Sequence, residues 1–418
     1  MKKTRILFVI PWLPYPMTTG GHQALFNGIL AVKDDMEITI AYQAQYTKAY
    51  CNAEKEFLSR VPNAVLHPLY CQPSFFVRCV LKIRNVLHLL IGKDIFSQGM
   101  KIELINGWMN AVAPQKQKWI EHLMRLCTDQ QFDIIQVEMP WLLSSVFALP
   151  KCAKKVFVHH ELGFIRREQE MLQVPSDNHY ANSIRRYADH NEISLLNMYD
   201  SVITLSTDDT KKLINKGVTK PVYSSFAVID HVESINPEVG NGKRLTFIGP
   251  EGHNSNYTGL LWFLQTCWGN LKQKDPEITL DVIGKWDIHK TEILNKYDGI
   301  NFLGYVNDLT KAIQGSTMIV PIIVGSGIRM KILEASSIGV PFVSTVVGAE
   351  GIPVMDGTDC FITDDPNTFV DDILKLQNKH LRISFIKNSN EMVKKYYSLE
   401  SLRINRLDIY KEITTAKS

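Results

Sequence analysis

Residues Val320-Pro321-Ile322-Ile323-Val324-Gly325-Ser326-Gly327-Ile328-Arg329-Met330-Lys331-Ile332-Leu333-Glu334-Ala335 run from an apolar strand, through a glycine-serine-glycine turn, directly into a helix. Gly339-Val340-Pro341 then ends that helix and opens another strand. Strand, glycine turn, helix, strand is the order of a βαβ unit in an open parallel sheet. Such a turn directs backbone N–H groups and the positive end of the helix at the strand end, which suits a diphosphate. Lys331 and Glu334, one turn apart, share a helix face, while Met330 and Leu333 pack toward the sheet. Glu334 lies about two turns beyond Gly327, and an ionised carboxylate there is a good clasp for vicinal ribose hydroxyls. Without a ligand, the same two residues read as a helix-surface pair worth only ~0.2–0.5 kcal/mol.

Working outward, the same grammar appears twice. Residues 6–10 (Ile-Leu-Phe-Val-Ile) are apolar without alternation, as in a parallel strand covered on both faces. A loop with Pro11, Pro14 and Pro16 leads to Gly20-Gly21-His22, then to an expected helix over 23–32 and a strand over 37–42. Further strands are expected over 132–137, 155–159 and 201–205. The pattern restarts after the polar stretch 236–243, with a strand at 244–248, a helix over 257–272, a strand over 278–283, and later a strand over 318–323, a helix over 329–339 and a strand over 341–345. The expected fold class is α/β: two Rossmann-like doubly wound domains facing across a cleft, joined near residue 240. Domain limits of 1–238 and 239–396, with 397–418 as a final helix, follow from that reading. Ligands in such sheets bind at the carboxyl ends of strands, so the cleft is the expected site.

The chain of 418 residues is 45% hydrophobic and 21% charged, an ordinary globular mix. Its 46 basic against 43 acidic residues, net +3, exclude the strongly basic footprint of a dedicated nucleic-acid binder. The 7 cysteines are scattered with no Cys-x-x-Cys, which argues against a disulfide framework or a zinc ribbon and for a reducing compartment. No apolar run reaches the ~18 residues of a spanning helix, and the five apolar residues before Pro11 read as a strand rather than a signal peptide. A cytoplasmic protein is expected. Residues 75–90 (FFVRCVLKIRNVLHLL) are amphipathic at helical spacing with Arg78, Lys82 and Arg84. They read either as a domain helix or as a peripheral contact with the inner membrane face.

Among other candidates, His159 and His160 follow one another on a strand, so their rings point to opposite faces and do not chelate one ion. There is no Asp-x-Asp for a donor-bound divalent cation. His22 reads as a solvated helix-start residue, Glu138 and Glu161 either as cleft candidates or as structural strand-end acids, and the pairs Arg166-Arg167 and Arg185-Arg186 as solvated helix faces.

From Val320 through Gly351 the chain resembles the donor-binding region of retaining GT-B glycosyltransferases of the GT4-like group, the glycosyl transferases group 1 family. The resemblance rests on Pro321, Gly325 with Gly327, Lys331 with Glu334-Ala335, Gly339 with Pro341, and Gly348 with Glu350-Gly351. Phe247-Ile248-Gly249 through His253 and Asn256 to Trp262-Phe263 is similar to the opening of that family's second domain, and Gly20-Gly21 to its first-domain loop. The resemblance implies a nucleotide-diphosphate sugar of the UDP or GDP type in the second domain, with Glu334 on the ribose. It places Gly20 and Gly21 near the donor phosphate and acceptor, Gly21 and His160 in the catalytic cleft, and residues 399–413 as a helix crossing back to the first domain. Ser326 stands where many members carry a sugar-contacting glutamate, and the loop 250–254 lacks their paired arginine and lysine. Neutralising the diphosphate then falls to Arg329, Lys331, Lys285 or His253. The activity implied is metal-independent retaining transfer to a glycan or lipid-linked acceptor, a hexosyltransferase of polysaccharide assembly with no cofactor besides the donor. The alternatives are a non-catalytic nucleotide-sugar-binding scaffold and a nucleotide-sugar epimerase.

Overall fold

A computed structural model describes residues 3–17, 20–44, 48–70, 105–172, 177–226, 239–287, 294, 296–325 and 328–415. The amphipathic segment 75–90, Ser326 and Gly327 lie outside the described residues. The chain divides into two compact units, Met1–Ser225 with Arg403–Ser418, and Phe226–Leu402. The divisions fall at 225/226 and 402/403, where the sequence reading set 238/239 and 396/397.

In the first unit the strands are β1 (Thr4–Ile10), β2 (Met36–Ala44), β3 (Val65–Tyr70), β4 (Ile134–Glu138), β5 (Lys154–His159), β6 (Ser201–Thr204) and β7 (Val222–Ser224). They form one sheet in the order β3-β2-β1-β4-β5-β6-β7, parallel throughout. Ile6 through Ile10 are all fully buried, because helices cover both faces of a parallel sheet. Helix Gly20–Ala31 buries Leu25, Phe26 and Ile29 on it, and helix Gln117–Asp129 buries Trp119, Leu123 and Leu126. Gly20 and Gly21 are thus the first turn of a helix, not part of the preceding loop. Most of the last helix, Leu399–Thr415, belongs to this unit, where Arg403 clasps Asp35 with two hydrogen bonds of 2.7 and 2.8 Å.

Two readings of charged residues need correction here. Arg167 is not solvated: it is 3% exposed, donates from Nε to Asp189 Oδ1 at 2.7 Å, and pairs with Glu192. Glu192 also accepts from His159 Nε2 at 2.8 Å and from the Gly163 amide at 3.0 Å. Burial disfavours the charge on Glu192, yet the His159 and Arg167 contacts outweigh it and hold the carboxyl below its usual range. His22 is not a solvated residue either. It is half-buried, edge-on to Trp12 at 5.5 Å between ring centroids, and burial lowers its pKa.

The second unit holds β8 (Arg244–Ile248), β9 (Thr279–Ile283), β10 (Ile300–Gly304), β11 (Thr317–Val320), β12 (Phe342–Ser344) and β13 (Phe361–Ile362). Their order is β10-β9-β8-β11-β12-β13, again all parallel. The single helix expected over 257–272 is instead an α segment Asn254–Phe263, a π segment Leu264–Trp268 and an α segment Gly269–Lys274. The wider turn lets Leu264, Cys267 and Trp268 all face inward and carries the Trp268 indole N–H to the Asp298 carbonyl at 3.1 Å. Arg382 is fully buried and fastens the start of β11. It donates to Thr317 Oγ1 at 2.6 Å, to the Ser316, Gly315 and Leu376 carbonyls at 2.9, 3.2 and 3.3 Å, and to Val239 O at 2.7 Å. Among the described residues no helix is long and apolar enough to cross a membrane.

Candidate functional site

In the second unit the strand order reverses between β8 and β11, and a crevice opens outside the carboxyl ends of strands at such a switch point. Gly249 and Pro250 follow β8, and Pro321 to Gly325 follow β11. Gly249 has φ +149°, and a Cβ there would come within 2.5 Å of the Asn256 side chain, so only glycine lets Asn256 lie against the strand end. Asn256 is 7% exposed. Its amide nitrogen donates to the Pro250 carbonyl at 2.9 Å, which leaves its oxygen to accept from Lys331 Nζ at 2.8 Å.

Lys331 therefore does not sit in a solvated helix-surface pair. Its ammonium lies 4.6 Å from the centroid of the Phe247 ring, a cation–π contact. Burial, and then the charge of Arg329, push its pKa down to about 7, against the opposing pull of Glu334. Such an amine is an adjustable counter-charge: it is easily discharged when the site is empty and readily recharged beside an anion. Arg329 completes the basic face. At Gly325, φ +133°, a Cβ would stand 2.9 Å from an Arg329 guanidinium nitrogen and 3.6 Å from Ser255 Cβ. Glu334, half-buried, follows one turn after Lys331 on helix Met330–Ile338.

The structure thus brings Asn256, Lys331, Gly325 and Arg329 to the switch point, with Glu334 on the adjoining helix. It does not draw in His253 and Lys285 in the same way. His253 is exposed at the N-cap of helix Asn254–Phe263 and makes no side-chain cap, and Lys285 is exposed, its carbonyl accepting from the Glu251 amide at 3.1 Å. Sequence reasoning missed Phe247 as a partner of Lys331, and Trp286, whose indole N–H donates to the Gly249 carbonyl at 3.0 Å. An aromatic residue at the end of β8 and another just after Gly284 were the available signals.

In the first unit, the switch point lies between β1 and β4. There Trp12 stacks on Trp141 at 5.3 Å, each residue lying just past the end of its strand. His160, one residue beyond β5, meets Glu138 at the end of β4, Nε2 to Oε2 at 2.7 Å. Glu138 Oε1 accepts from Gln136 Nε2 at 2.6 Å, and Gln136 Oε1 accepts from the Tyr410 hydroxyl at 2.5 Å. Burial pushes the Tyr410 phenol up to about 12, so it keeps its proton. His159 and His160 turn to different carboxylates, Glu192 and Glu138, so the two rings do not converge on one ion.

Comparison with known proteins follows the same lines. Residues 242–379 match the family described as Glycosyl transferases group 1. A protein described as an uncharacterized 44.6 kDa protein in the cps region of Klebsiella pneumoniae is 26% identical over 212 residues. That match spans 49% of this chain and about half, 51%, of the relative. Among solved structures, Anabaena HepE in complex with UDP superposes with a TM-score of 0.66 at 12% identity, over 98% of this chain and 100% of that one. TarM gives a TM-score of 0.71 at 12% identity over 100% and 99%, and a variant of S. aureus TarM is solved with Fondaparinux, alpha-GlcNAc-glycerol and UDP. Residues 242–379 thus match the glycosyl transferases group 1 model, in a chain whose two parallel-sheet Rossmann-like units have the fold of GT-B glycosyltransferases.

Proposed function

We propose that the chain is a glycosyltransferase that moves a sugar, with retention and without a metal ion, from a nucleoside-diphosphate sugar to an acceptor hydroxyl. The observation that carries this reading is the Lys331 ammonium, held by Asn256 and the Phe247 ring beside the Gly325 turn at the switch point. There a diphosphate meets one adjustable positive charge, Lys331, and one fixed one, Arg329, together with backbone donors of the turn. Glu334 takes the ribose hydroxyls. UDP is the favoured nucleotide, since HepE was solved with UDP and UDP-glucose, and a growing polysaccharide the favoured acceptor, since the Klebsiella relative lies in a cps region.

The chemistry asked of the protein is positioning and stabilisation of charge on the leaving diphosphate. In a front-face mechanism the donor phosphate oxygen takes the acceptor proton as the new glycosidic bond forms, so no side chain has to serve as base. His160 and the first turn at Gly20 and Gly21 act on the sugar and acceptor side. Glu334→Ala is expected to lose nucleotide binding in calorimetry and to lose sugar transfer together. Undiminished UDP affinity in that variant would remove Glu334 from the site, and nucleotide binding by wild type without transfer to any glycan would favour a scaffold.

A further inference from the structure

Strand β4 ends in a strained residue with a buried carboxylate immediately before it. Met139 has φ 77° and ψ 139° and is the non-glycine residue with positive φ among the described residues. Such a conformation persists where the surroundings enforce it. Here it turns the chain out of β4 so that Glu138, 2% exposed, stays at the strand end facing His160.

Both oxygens of Glu138 are occupied, one by Gln136 Nε2 and the other by His160 Nε2. The Gln136 amide is itself oriented, because its oxygen accepts the Tyr410 hydroxyl and its nitrogen must then face Glu138. With Glu138 acting only as acceptor, His160 Nε2 carries the proton between them, and in the neutral ring the lone pair is then on Nδ1. That Nδ1 is buried and has no hydrogen-bond partner among the described residues. Buried acceptors are nearly always satisfied, so a vacant one calls for a reason.

His159 Nδ1 is equally vacant, and the contrast is instructive. The His159 side chain is 1% exposed, in the packed interior with Glu192 and edge-on to Phe157. The His160 side chain is 9% exposed, lies past the strand terminus, and belongs to the end of the sheet where ligands bind.

We propose that Glu138 is a positioning residue for His160. It fixes the Nε2–H tautomer so that Nδ1 accepts a hydrogen bond from a sugar hydroxyl, and Gln136 and Tyr410 hold Glu138 in turn. The proposal rests on the glycosyltransferase reading for its substrate, but the tautomer is measurable without turnover. A carboxylate behind a working imidazole in this way sets both tautomer and ring direction.

Long-range proton–nitrogen NMR of the full chain labelled in histidine, with His160→Gln used for assignment, tests this together with steady-state kinetics. Wild type is expected to show the Nε2–H form of His160. Glu138→Gln is expected to mix the tautomers and lower kcat about 10- to 100-fold, with KM for the nucleotide sugar held within about 2-fold. Tyr410→Phe is expected to give a smaller shift in the same direction. An Nδ1–H form in wild type, or unchanged kcat in a Glu138→Gln protein whose tautomer has changed, overturns the proposal. Failure of wild type to turn over any nucleotide sugar would instead sink the transferase reading, and the spectra would still decide whether Glu138 sets the tautomer.

Discussion

Lys331 Nζ donates to Asn256 Oδ1 at 2.8 Å across a separation of 75 residues. That bond joins the helix after β11 to the helix after β8, the two elements that flank the switch point. It is made by a lysine whose pKa is pushed down from 10.5 to about 7, so its charge state is tied both to folding and to ligand.

The folding consequence has a definite sign. Below about pH 7 both folded and unfolded chains carry the Lys331 proton, and the folded state bears the full penalty of a buried charge. Between about pH 7 and 10.5 the unfolded chain binds more protons, so stability rises with pH, by up to about 1.4 kcal/mol per unit. Urea unfolding of wild type and Lys331→Met across that range should show this rise in wild type relative to the variant. Parallel pH profiles for the two would contradict it.

The ligand consequence is proton uptake. A diphosphate beside Lys331 favours the ammonium, so nucleotide binding at about pH 8 should take up close to one proton. Calorimetric titration with UDP in two buffers of different ionisation enthalpy reads this number directly. Lys331→Met should bind more weakly and take up far less.

Gly249→Ala is expected to act through Asn256. The new methyl would stand within 2.5 Å of that side chain at a φ of +149°, displacing the partner of Lys331. A loss of about 2–4 kcal/mol in stability, accompanied by weaker nucleotide binding, is the expected result of denaturation and titration experiments.

Arg382→Met should be among the most destabilising substitutions in the second unit. It strands the carbonyls of Gly315 and Ser316 and the Thr317 hydroxyl at the start of β11, at about 1–3 kcal/mol for each buried group left unsatisfied. Chemical denaturation should show a loss of at least about 3 kcal/mol.

Much of the architecture was legible because parallel strands announce themselves. Ile6 to Ile10 are apolar at every position and are buried at every position, and the turn after Val320 is punctuated by glycine. The grouping of Lys331 and Glu334 on one helix face also follows from local spacing. What spacing does not carry is the identity of distant partners. Arg167 looks like half of a solvated pair until Asp189 and Glu192, from another helix, close around it. Asn256 gives no local hint that it holds Lys331, nor does Gln136 that Tyr410 reaches it from the far end of the chain. The π segment at 264–268 was hidden for a different reason: one extra residue in a turn leaves the apolar pattern intact while shifting its phase.

The clasp between Arg403 and Asp35 and the bond from Tyr410 to Gln136 give synthesis an order of events. Residues 226–402 leave the ribosome as one continuous run, with every strand of their own sheet already present. The earlier-made unit must wait, its interior unfinished around Gln136, until translation has passed residue 410. The part made first is thus completed by residues made after the second unit.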